Sequence, residues 1–326
     1  MKIIMEFIYT VKKNWRENNM ADYLLKAMSK SGTIRAFAAV STETVNTAFA
    51  IQKPAVLSGI ILGNVLTATA LCGATLKGNR ERISLMLRGN GIVEKAMAEA
   101  EADGKVRGYV GNSQAEFSAD GGDAKMQINN AIGEASILTM TKDLGLKQPY
   151  SGTINCATGD IGADVAYYFA QSEQIPSAVA VSTIPANDGK SAEISGGYLV
   201  QQIPTDGGFG AQGELELDKI AETISSGLSL NSMLLKGFSP EKILETLFTG
   251  VEFEILEKVD LAFECSCNRE ALLSALSMFD EAAKEEILKS DGQIEIICEL
   301  CRKKYYLSPR EITEYLGIQI QQQEGN

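Results

Sequence analysis

Residues 54–76 of the chain read PAVLSGIILGNVLTATALCGATL, the longest stretch without a charged side chain. The stretch is long enough to cross a bilayer, but three glycines and several polar side chains interrupt it, namely Ser58, Asn64, Thr67 and Thr69. The proline at its start suits the first turn of a helix. We therefore predict a helix buried in the core of the protein, and we expect no membrane segment.

Short apolar runs surround this helix in the sequence, and most have the length and residue types of β-strands. The predicted strands are Thr33–Val40, Ile83–Arg88, Val106–Val110, Ala124–Ile128, Ile137–Thr141, Thr153–Ala157, Ala178–Ile184 and Tyr198–Ile203. The predicted helices are Thr44–Ala50, Pro54–Leu71 and Ile161–Ser172. Because strands predominate and cluster, we expect an α+β fold with a large mixed sheet rather than a doubly wound parallel fold.

Composition excludes several classes of function. The chain has 326 residues, with 30 basic and 42 acidic side chains and a net charge of −12, whereas binding to a nucleic-acid backbone needs clustered lysine and arginine. It contains no histidine, which excludes Ser-His-Asp triads, Cys-His pairs and HExxH metalloproteases. The sequence shows no secretory signal, so we expect a cytoplasmic protein whose thiols are kept reduced.

Changes in composition divide the chain into five predicted parts. We assign residues 20–210 to an α+β core domain, 211–254 to an acidic helical linker and 255–318 to a small zinc-binding domain, with a disordered tail at 319–326. Residues 1–19 are basic and contain the single tryptophan, Trp15. We interpret them as an upstream extension, with the natural start at Met20; the alternative is a genuine N-terminal helix.

The predicted linker is acidic and interrupted by glycine. Helical periodicity covers Leu215–Leu228 and resumes after Ser239, which can cap a helix that has Pro240 in its first turn. Short helices of this kind bury little apolar surface and are marginal alone, so we expect low local stability. Near the end of the chain, Ser308-Pro309-Arg310-Glu311 predicts a capping box before a final helix.

Four of the six cysteines form a Cys-x-Cys pair and a Cys-x-x-Cys pair near the C-terminus: Cys265, Cys267, Cys298 and Cys301. Two such pairs of thiolates supply the four vertices of a tetrahedral zinc site. The segment is too small to bury a good core unaided, so the metal would supply much of its folding free energy, on the order of 10 kcal/mol. Cys72 and Cys156 are interpreted as structural residues.

Spacing alone favours a plain structural zinc site, but three features favour a redox switch. A disulfide across the one-residue spacer of Cys265 and Cys267 would be strained and readily reduced. Basic side chains nearby, at Arg269 and at 302–304, are expected to join the metal in keeping the thiols deprotonated, which is the form that oxidants attack. Loss of the metal would unfold the small domain beside a marginal linker.

A set of motifs in a fixed order resembles the thirty-three kilodalton chaperonins, a family of redox-regulated heat-shock chaperones. The resemblance covers residue 20 to about residue 317. The motifs are Thr33-Ile34-Arg35-Ala36, Val106-Arg107-Gly108-Tyr109-Val110, Asp143-Leu144-Gly145-Leu146-Lys147, Pro149-Tyr150-Ser151-Gly152, Tyr168-Phe169-Ala170-Gln171-Ser172-Glu173-Gln174-Ile175-Pro176-Ser177, Gly196-Gly197-Tyr198-Leu199 with Gln201, and the two cysteine pairs. Two departures affect only local geometry: Asn268 replaces a common serine, and Pro204-Thr205-Asp206 replaces a turn of small residues.

The resemblance implies a chaperone of the oxidative stress response rather than an enzyme. Such a protein is an ATP-independent holdase that is inactive while reduced and bound to one zinc ion. Oxidation is expected to join Cys265 to Cys267 and Cys298 to Cys301, to release the zinc and to unfold the linker. Newly exposed apolar surface then binds unfolded or partly unfolded client proteins, commonly as a homodimer. The sequence leaves the client-binding residues unknown.

Two other interpretations of the cysteine cluster stay open from the residues alone. A metal-stabilised module for protein or nucleic-acid interactions would use the same four cysteines, although the net charge argues against nucleic acid. A zinc or thiol oxidoreductase would need an open coordination position, which four thiolates close.

Overall fold

The computed structural model describes residues 21–78, 81–120, 122–204, 208–280, 284, 287 and 293–316. The chain divides into two compact units, one ending at Glu264 and one beginning at Cys265. The predicted N-terminal extension at 1–19 and the predicted tail at 319–326 lie outside the described residues, as do Thr205 and Asp206 of the predicted linker turn.

The larger unit contains two β-sheets and several helices, which confirms the predicted α+β class. An antiparallel five-stranded sheet has the order β10-β1-β2-β9-β8. Its strands are β1 (Tyr23–Ser29), β2 (Ile34–Val40), β8 (Ser177–Pro185), β9 (Ala192–Gln202) and β10 (Phe253–Asp260).

A six-stranded sheet has the order β11-β5-β4-β3-β6-β7. It is mixed, because the short β11 pairs parallel to β5 while its other neighbours are antiparallel. Its strands are β3 (Arg82–Arg88), β4 (Lys95–Glu101), β5 (Lys105–Val110), β6 (Ile137–Asp143), β7 (Tyr150–Asn155) and β11 (Ala262–Phe263). The strands are therefore shared between two sheets rather than gathered in one.

The helices of the larger unit begin with α1 (Thr42–Gln52) and α2 (Val56–Gly73), and α2 is the helix predicted from the uncharged stretch. Helix α2 is long and apolar enough to cross a membrane, yet 89% of it is buried inside the protein. Its side chains pack in one core cluster with residues of both sheets. Glycine permits this close approach: a Cβ on Gly63 would overlap the Thr183 side chain of β8, and one on Gly73 would lie 2.8 Å from Ala100 of β4.

The sequence predictions did not include strands β1 and β10 of the five-stranded sheet, and they differ from the observed elements in other respects as well. The run predicted as a strand at Ala124–Ile128 is helix α3 (Ala124–Ile132), because Asp123 accepts a hydrogen bond from the N–H of Met126 at 2.8 Å and caps it. Strand β4 was not predicted, since its buried residues are alanines, which favour helices. Cys156 follows β7 rather than lying within a strand.

Helix α4 (Ile161–Tyr168) continues into a π-helical turn (Phe169–Glu173). The two together correspond to the predicted helix Ile161–Ser172. The region predicted as the linker forms helices α5 (Ala211–Ser226), α6 (Leu230–Leu235) and α7 (Pro240–Leu247). We call α5–α7 the cover helices, because they pack on the face of the five-stranded sheet that points away from α2.

Polar contacts fix two of the cover helices to the sheet. Glu216 of α5 is buried, and its carboxylate accepts hydrogen bonds from Ser31 at 2.7 Å and Thr33 at 2.9 Å. The hydroxyl of Tyr23 on β1 donates to Glu241 of α7 at 2.7 Å. The predicted boundary between residues 254 and 255 falls within β10, whose pairing with β1 holds it in the larger unit.

The described residues of the smaller unit include α8 (Arg269–Ser277), the antiparallel hairpin of β12 (Ile294–Ile297) and β13 (Lys304–Leu307), and α9 (Pro309–Leu316). The predicted capping box is present: the N–H of Ser308 donates to the Glu311 carboxylate at 2.9 Å, and the N–H of Glu311 donates to the Ser308 hydroxyl at 3.3 Å. The described core is small, with Leu276, Leu307 and Ile312 at its centre.

One buried carboxyl makes the stability of the larger unit depend on pH. Asp22 is 3% exposed, and it accepts a hydrogen bond from the N–H of Thr44 at 2.6 Å near the start of α1. Burial raises the pKa of Asp22 to about 6, although hydrogen bonds from Thr44 and Glu43 act in the opposite direction. A carboxyl whose pKa is raised on folding costs stability at high pH, and the cost vanishes below the pKa of the unfolded chain.

We predict that Asp22→Asn removes this pH dependence, because the amide keeps an oxygen for Thr44 but carries no charge. As pH falls from 7 to 4, the wild-type larger unit should gain about 2 kcal/mol in free energy of unfolding relative to the variant. Denaturant unfolding of both proteins across this range measures the difference. Parallel pH profiles for the two proteins would contradict the prediction.

Candidate metal centre

The four cysteines predicted as ligands meet at one point in the smaller unit. Their Sγ atoms all lie within 4.8 Å of one another. The Sγ atoms of Cys265 and Cys298 are 3.9 Å apart, and those of Cys267 and Cys301 are 3.4 Å apart. Four sulfurs at about 2.3 Å from a zinc ion are separated by roughly 3.8 Å along the edges of a tetrahedron. The spacing of the thiols therefore fits a tetrahedral metal site.

The first cysteine pair is positioned by the start of α8. Cys265 and Cys267 lie in extended chain just before the helix, and the side chain of Asn268 accepts a hydrogen bond from the N–H of Ala271 at 2.8 Å. Asparagine is among the best N-cap residues. The departure from the family pattern at this position thus preserves the local structure, because the cap turns the chain directly after the second thiol.

The second cysteine pair lies in the turn between β12 and β13. The N–H of Cys298 donates to the carbonyl of Lys303 at 3.0 Å, and the N–H of Arg302 donates to the carbonyl of Cys298 at 2.8 Å. Arg302 has a φ of 58°, a left-handed conformation that lets the chain reverse immediately after Cys301. These bonds close a tight loop that turns both thiols toward the first pair.

Burial makes charged thiolates costly in this cluster. Burial raises the pKa of Cys265 and Cys301, and the thiols of Cys267 and Cys298 raise both further, while backbone N–H groups of Cys267 and Lys303 act in the opposite direction. At Cys267 burial also acts upward, but hydrogen bonds from Tyr305 and the other thiols outweigh it and lower the pKa. A soft divalent cation removes the repulsion among four thiolates. The donor set therefore fits zinc.

Two of the basic residues expected beside the thiols are paired with carboxylates instead. The guanidinium of Arg269 contacts the Glu311 carboxylate at 2.7 Å and donates to the carbonyl of Tyr306. The ammonium of Lys304 lies 3.0 Å from the Glu295 carboxylate. Each cation is therefore shared with a carboxylate, and its effect on the thiols stays a prediction.

The remaining cysteines belong to the larger unit and are not among the four clustered thiols. Cys72 is fully buried in α2, and burial raises its pKa to about 12. Cys156 is half-buried, and burial raises its pKa to about 11. Both are poor thiolates at neutral pH, which agrees with their interpretation as structural residues.

Sequence reasoning missed one residue of the site, Tyr305. Its hydroxyl lies 3.2 Å from the Sγ of Cys267, and the ring is buried. The sequence feature that could have identified Tyr305 is the alternation of exposed and buried positions along β13. The buried positions of this strand are Tyr305 and Leu307. A four-residue strand of mixed composition gives no basis for choosing that face from the sequence alone.

Comparison with known proteins gives one consistent result. The sequence pattern of the family described as Hsp33 protein matches residues 22–308. A 33 kDa chaperonin of Citrifermentans bemidjiense is 37% identical over 306 residues, which cover 94% of this chain and 100% of that protein. The 33 kDa chaperonin of Clostridioides difficile is 34% identical over 297 residues, covering 91% of this chain and 99% of that protein.

A solved structure shows the same similarity. The crystal structure of a 33 kDa chaperonin from Thermotoga maritima matches with a TM-score of 0.78 and 29% sequence identity. The match covers 91% of this chain and 98% of that chain. The similarity therefore extends through both compact units rather than through a single motif.

From the geometry of the metal centre we predict that the reduced protein binds one zinc ion per chain. The affinity should fall as pH drops, because protons compete with the metal for the thiolates. Cys298→Ser removes one sulfur. It should weaken binding by more than the roughly 10- to 100-fold that loss of a supporting residue costs. Competition against a chromogenic chelator measures the affinity.

The matched control is Cys156→Ser, which removes a thiol outside the cluster and should bind zinc as the wild type does. Equal affinities for the two serine variants would show that these four thiols are not the metal site.

Proposed function

Because this chain belongs to the Hsp33 protein family, which is a family of chaperones, we propose that it is a redox-regulated, ATP-independent holdase. Binding of unfolded client proteins is the general function that membership implies. The finer proposal is that the four-thiol cluster controls when a client-binding surface is exposed. The observation that carries it is an apolar sheet face lying under three helices, of which one buries few of its residues and the other two are short.

The hidden face is formed by alternate residues of neighbouring strands. Across β1, β2 and β9, one row consists of Leu25, Ala38 and Tyr198, and the next consists of Ala27, Ala36 and Val200. All six side chains are buried beneath the cover helices. Exposed apolar patches on protein surfaces mark sites of protein interaction, and this face would become such a patch if the cover helices left it. We propose that it is the client-binding surface.

The cover helices are suited to leave this face. Of the 16 residues of α5, only Gly213, Glu216 and Ile220 are buried. Helices α6 and α7 have 6 and 8 residues, which is below the length at which isolated helices are stable in water. Their structure therefore depends on contacts with the sheet, and they would unfold once those contacts are lost.

The proposed signal is oxidation of the cluster. Two thiolates give up two electrons to one peroxide molecule, which takes up two protons and leaves as two water molecules, and an S–S bond forms. We propose the pairs Cys265–Cys267 and Cys298–Cys301. The folded distances leave the pairing open, since the short Sγ contacts join one motif to the other. Neighbours two or three residues apart stay close once the unit loosens, which favours pairing within each motif.

Zinc held by the four sulfurs would keep the thiols deprotonated and the smaller unit folded. Disulfide sulfurs lose the charge that ligates a cation, so the oxidised cysteines would release the metal. The described hydrophobic core around Leu307 is small, so the unit would unfold once the metal is lost. Next to it in the chain lie β10 and the cover helices. We propose that the oxidised form acts as a homodimer in the cytoplasm.

Peroxide treatment under mildly unfolding conditions tests the switch. The zinc-loaded wild type should release its metal and then suppress aggregation of an unfolding client, whereas the reduced protein should not. Cys298→Ser should lose this redox dependence, because one disulfide cannot form. Zinc release without a gain in client protection would leave a purely structural zinc site as the better explanation.

A second prediction separates the cover helices from the cluster. Leu244→Ala on α7 removes a fully buried side chain, a change that typically costs about 2–5 kcal/mol. The reduced variant should therefore bind a hydrophobic dye and protect clients without oxidation. Leu235→Ala on α6 is the matched control, because Leu235 is 50% exposed. If the two variants behave alike, the face under α7 does not bind clients.

A further inference from the structure

Tyr305 contacts the cysteine cluster without being a candidate ligand. Its hydroxyl donates a hydrogen bond to the backbone carbonyl of Cys267 at 2.9 Å and lies 3.2 Å from the Sγ of the same residue. The side chain is directed by strand alternation, since Tyr305 is 8% exposed and Tyr306 beside it is 46% exposed. Two adjacent tyrosines on one strand therefore have different surroundings.

The ring of Tyr305 is held in place from two sides. Its backbone pairs with Ile296 in the β12–β13 hairpin. The ammonium of Lys303, within the cysteine turn, lies 5.1 Å from the ring centroid. A positive charge over the ring makes the phenol a better hydrogen-bond donor. The hydroxyl is thus presented to Cys267 by a rigid hairpin rather than by a mobile loop.

The hydroxyl lies close enough to the Sγ of Cys267 to bond to it as well as to the backbone carbonyl. The sulfur of a cysteine that ligates a metal only accepts hydrogen bonds, so the O–H can donate to it. Such a charge-assisted bond is stronger than a neutral one. It also withdraws electron density from the sulfur, which lowers its nucleophilicity.

We propose that Tyr305 is a positioning residue of the redox site, which orients Cys267, strengthens its hold on the metal and slows attack of oxidants on its sulfur. This inference rests on the proposed function, because it assumes that the cluster binds zinc and reacts with oxidants. Groups that hydrogen bond to metal ligands typically account for about 10- to 100-fold in metal affinity. Tyr305 would therefore help to set the oxidant concentration at which the cysteine cluster reacts.

The test compares Tyr305→Phe with Tyr306→Phe, two identical deletions of a hydroxyl on adjacent residues. The Tyr306 hydroxyl donates to Glu295 at 2.7 Å, so its loss leaves Cys267 untouched. In Tyr305→Phe, zinc affinity should fall by about 10- to 100-fold. Residue-resolved thiol labelling after a peroxide pulse should show faster modification of Cys267. Tyr306→Phe should match the wild type in both measurements.

Cobalt-loaded protein gives a readout that a purely structural role would not change. Loss of the hydrogen bond leaves the sulfur richer in electrons, so the sulfur-to-cobalt charge-transfer band of Tyr305→Phe should move to longer wavelength. If Tyr305→Phe fails to fold, 3-fluorotyrosine incorporated at position 305 replaces it. Its more acidic hydroxyl should move the band to shorter wavelength.

Equal zinc affinity, labelling rate and band position in the two phenylalanine variants would overturn the inference, as would an unmoved band in the fluorotyrosine protein. A wild-type protein that binds zinc but ignores peroxide would refute the proposed function instead. In that case the affinity and the cobalt band would still report on Tyr305.

Discussion

The packing of one uncharged helix between two sheets is the constraint on which the larger unit depends. Helix α2 contacts strands of both sheets, and glycines at positions 63 and 73 let it approach each of them closely. Because interiors are packed as densely as organic crystals, this arrangement fixes the separation of the sheets. Together with α1 and α4, helix α2 packs against the inner face of the five-stranded sheet, and the cover helices pack on the outer face.

The parts of the structure that follow from local pattern could be predicted from the sequence. The uncharged run of α2 and the caps at Ser239 and Ser308 lie where residue types require them. The cysteine spacing likewise identified the four thiols that come together. Strand β4 escaped prediction because pairing with β3 and β5, rather than the preference of its alanines, decides its conformation.

Other features depend on contacts that a sequence does not reveal. Strand β2 is apolar at nearly every position because both of its faces are buried, with Phe37 toward α2 and Ile34 toward the cover helices. Nothing in that run distinguishes the face toward α2 from the face that we propose binds clients. The partners of Arg269 and Lys304 were equally hidden, since each carboxylate lies far along the chain or across the hairpin.

The buried carboxylate of Glu216 has a consequence for how the cover competes with other occupants of the sheet. Most of α5 faces water, and its attachment relies partly on hydrogen bonds from Ser31 and Thr33. Folding exchanges hydrogen bonds with water for these bonds to a charged carboxylate, so their net contribution is about 1.5–3 kcal/mol each. Under the proposed function, the cover would act as an internal ligand of the sheet face that a more apolar chain displaces. The same polar contacts define a single register, so the segment would return to its own place when the rival chain departs.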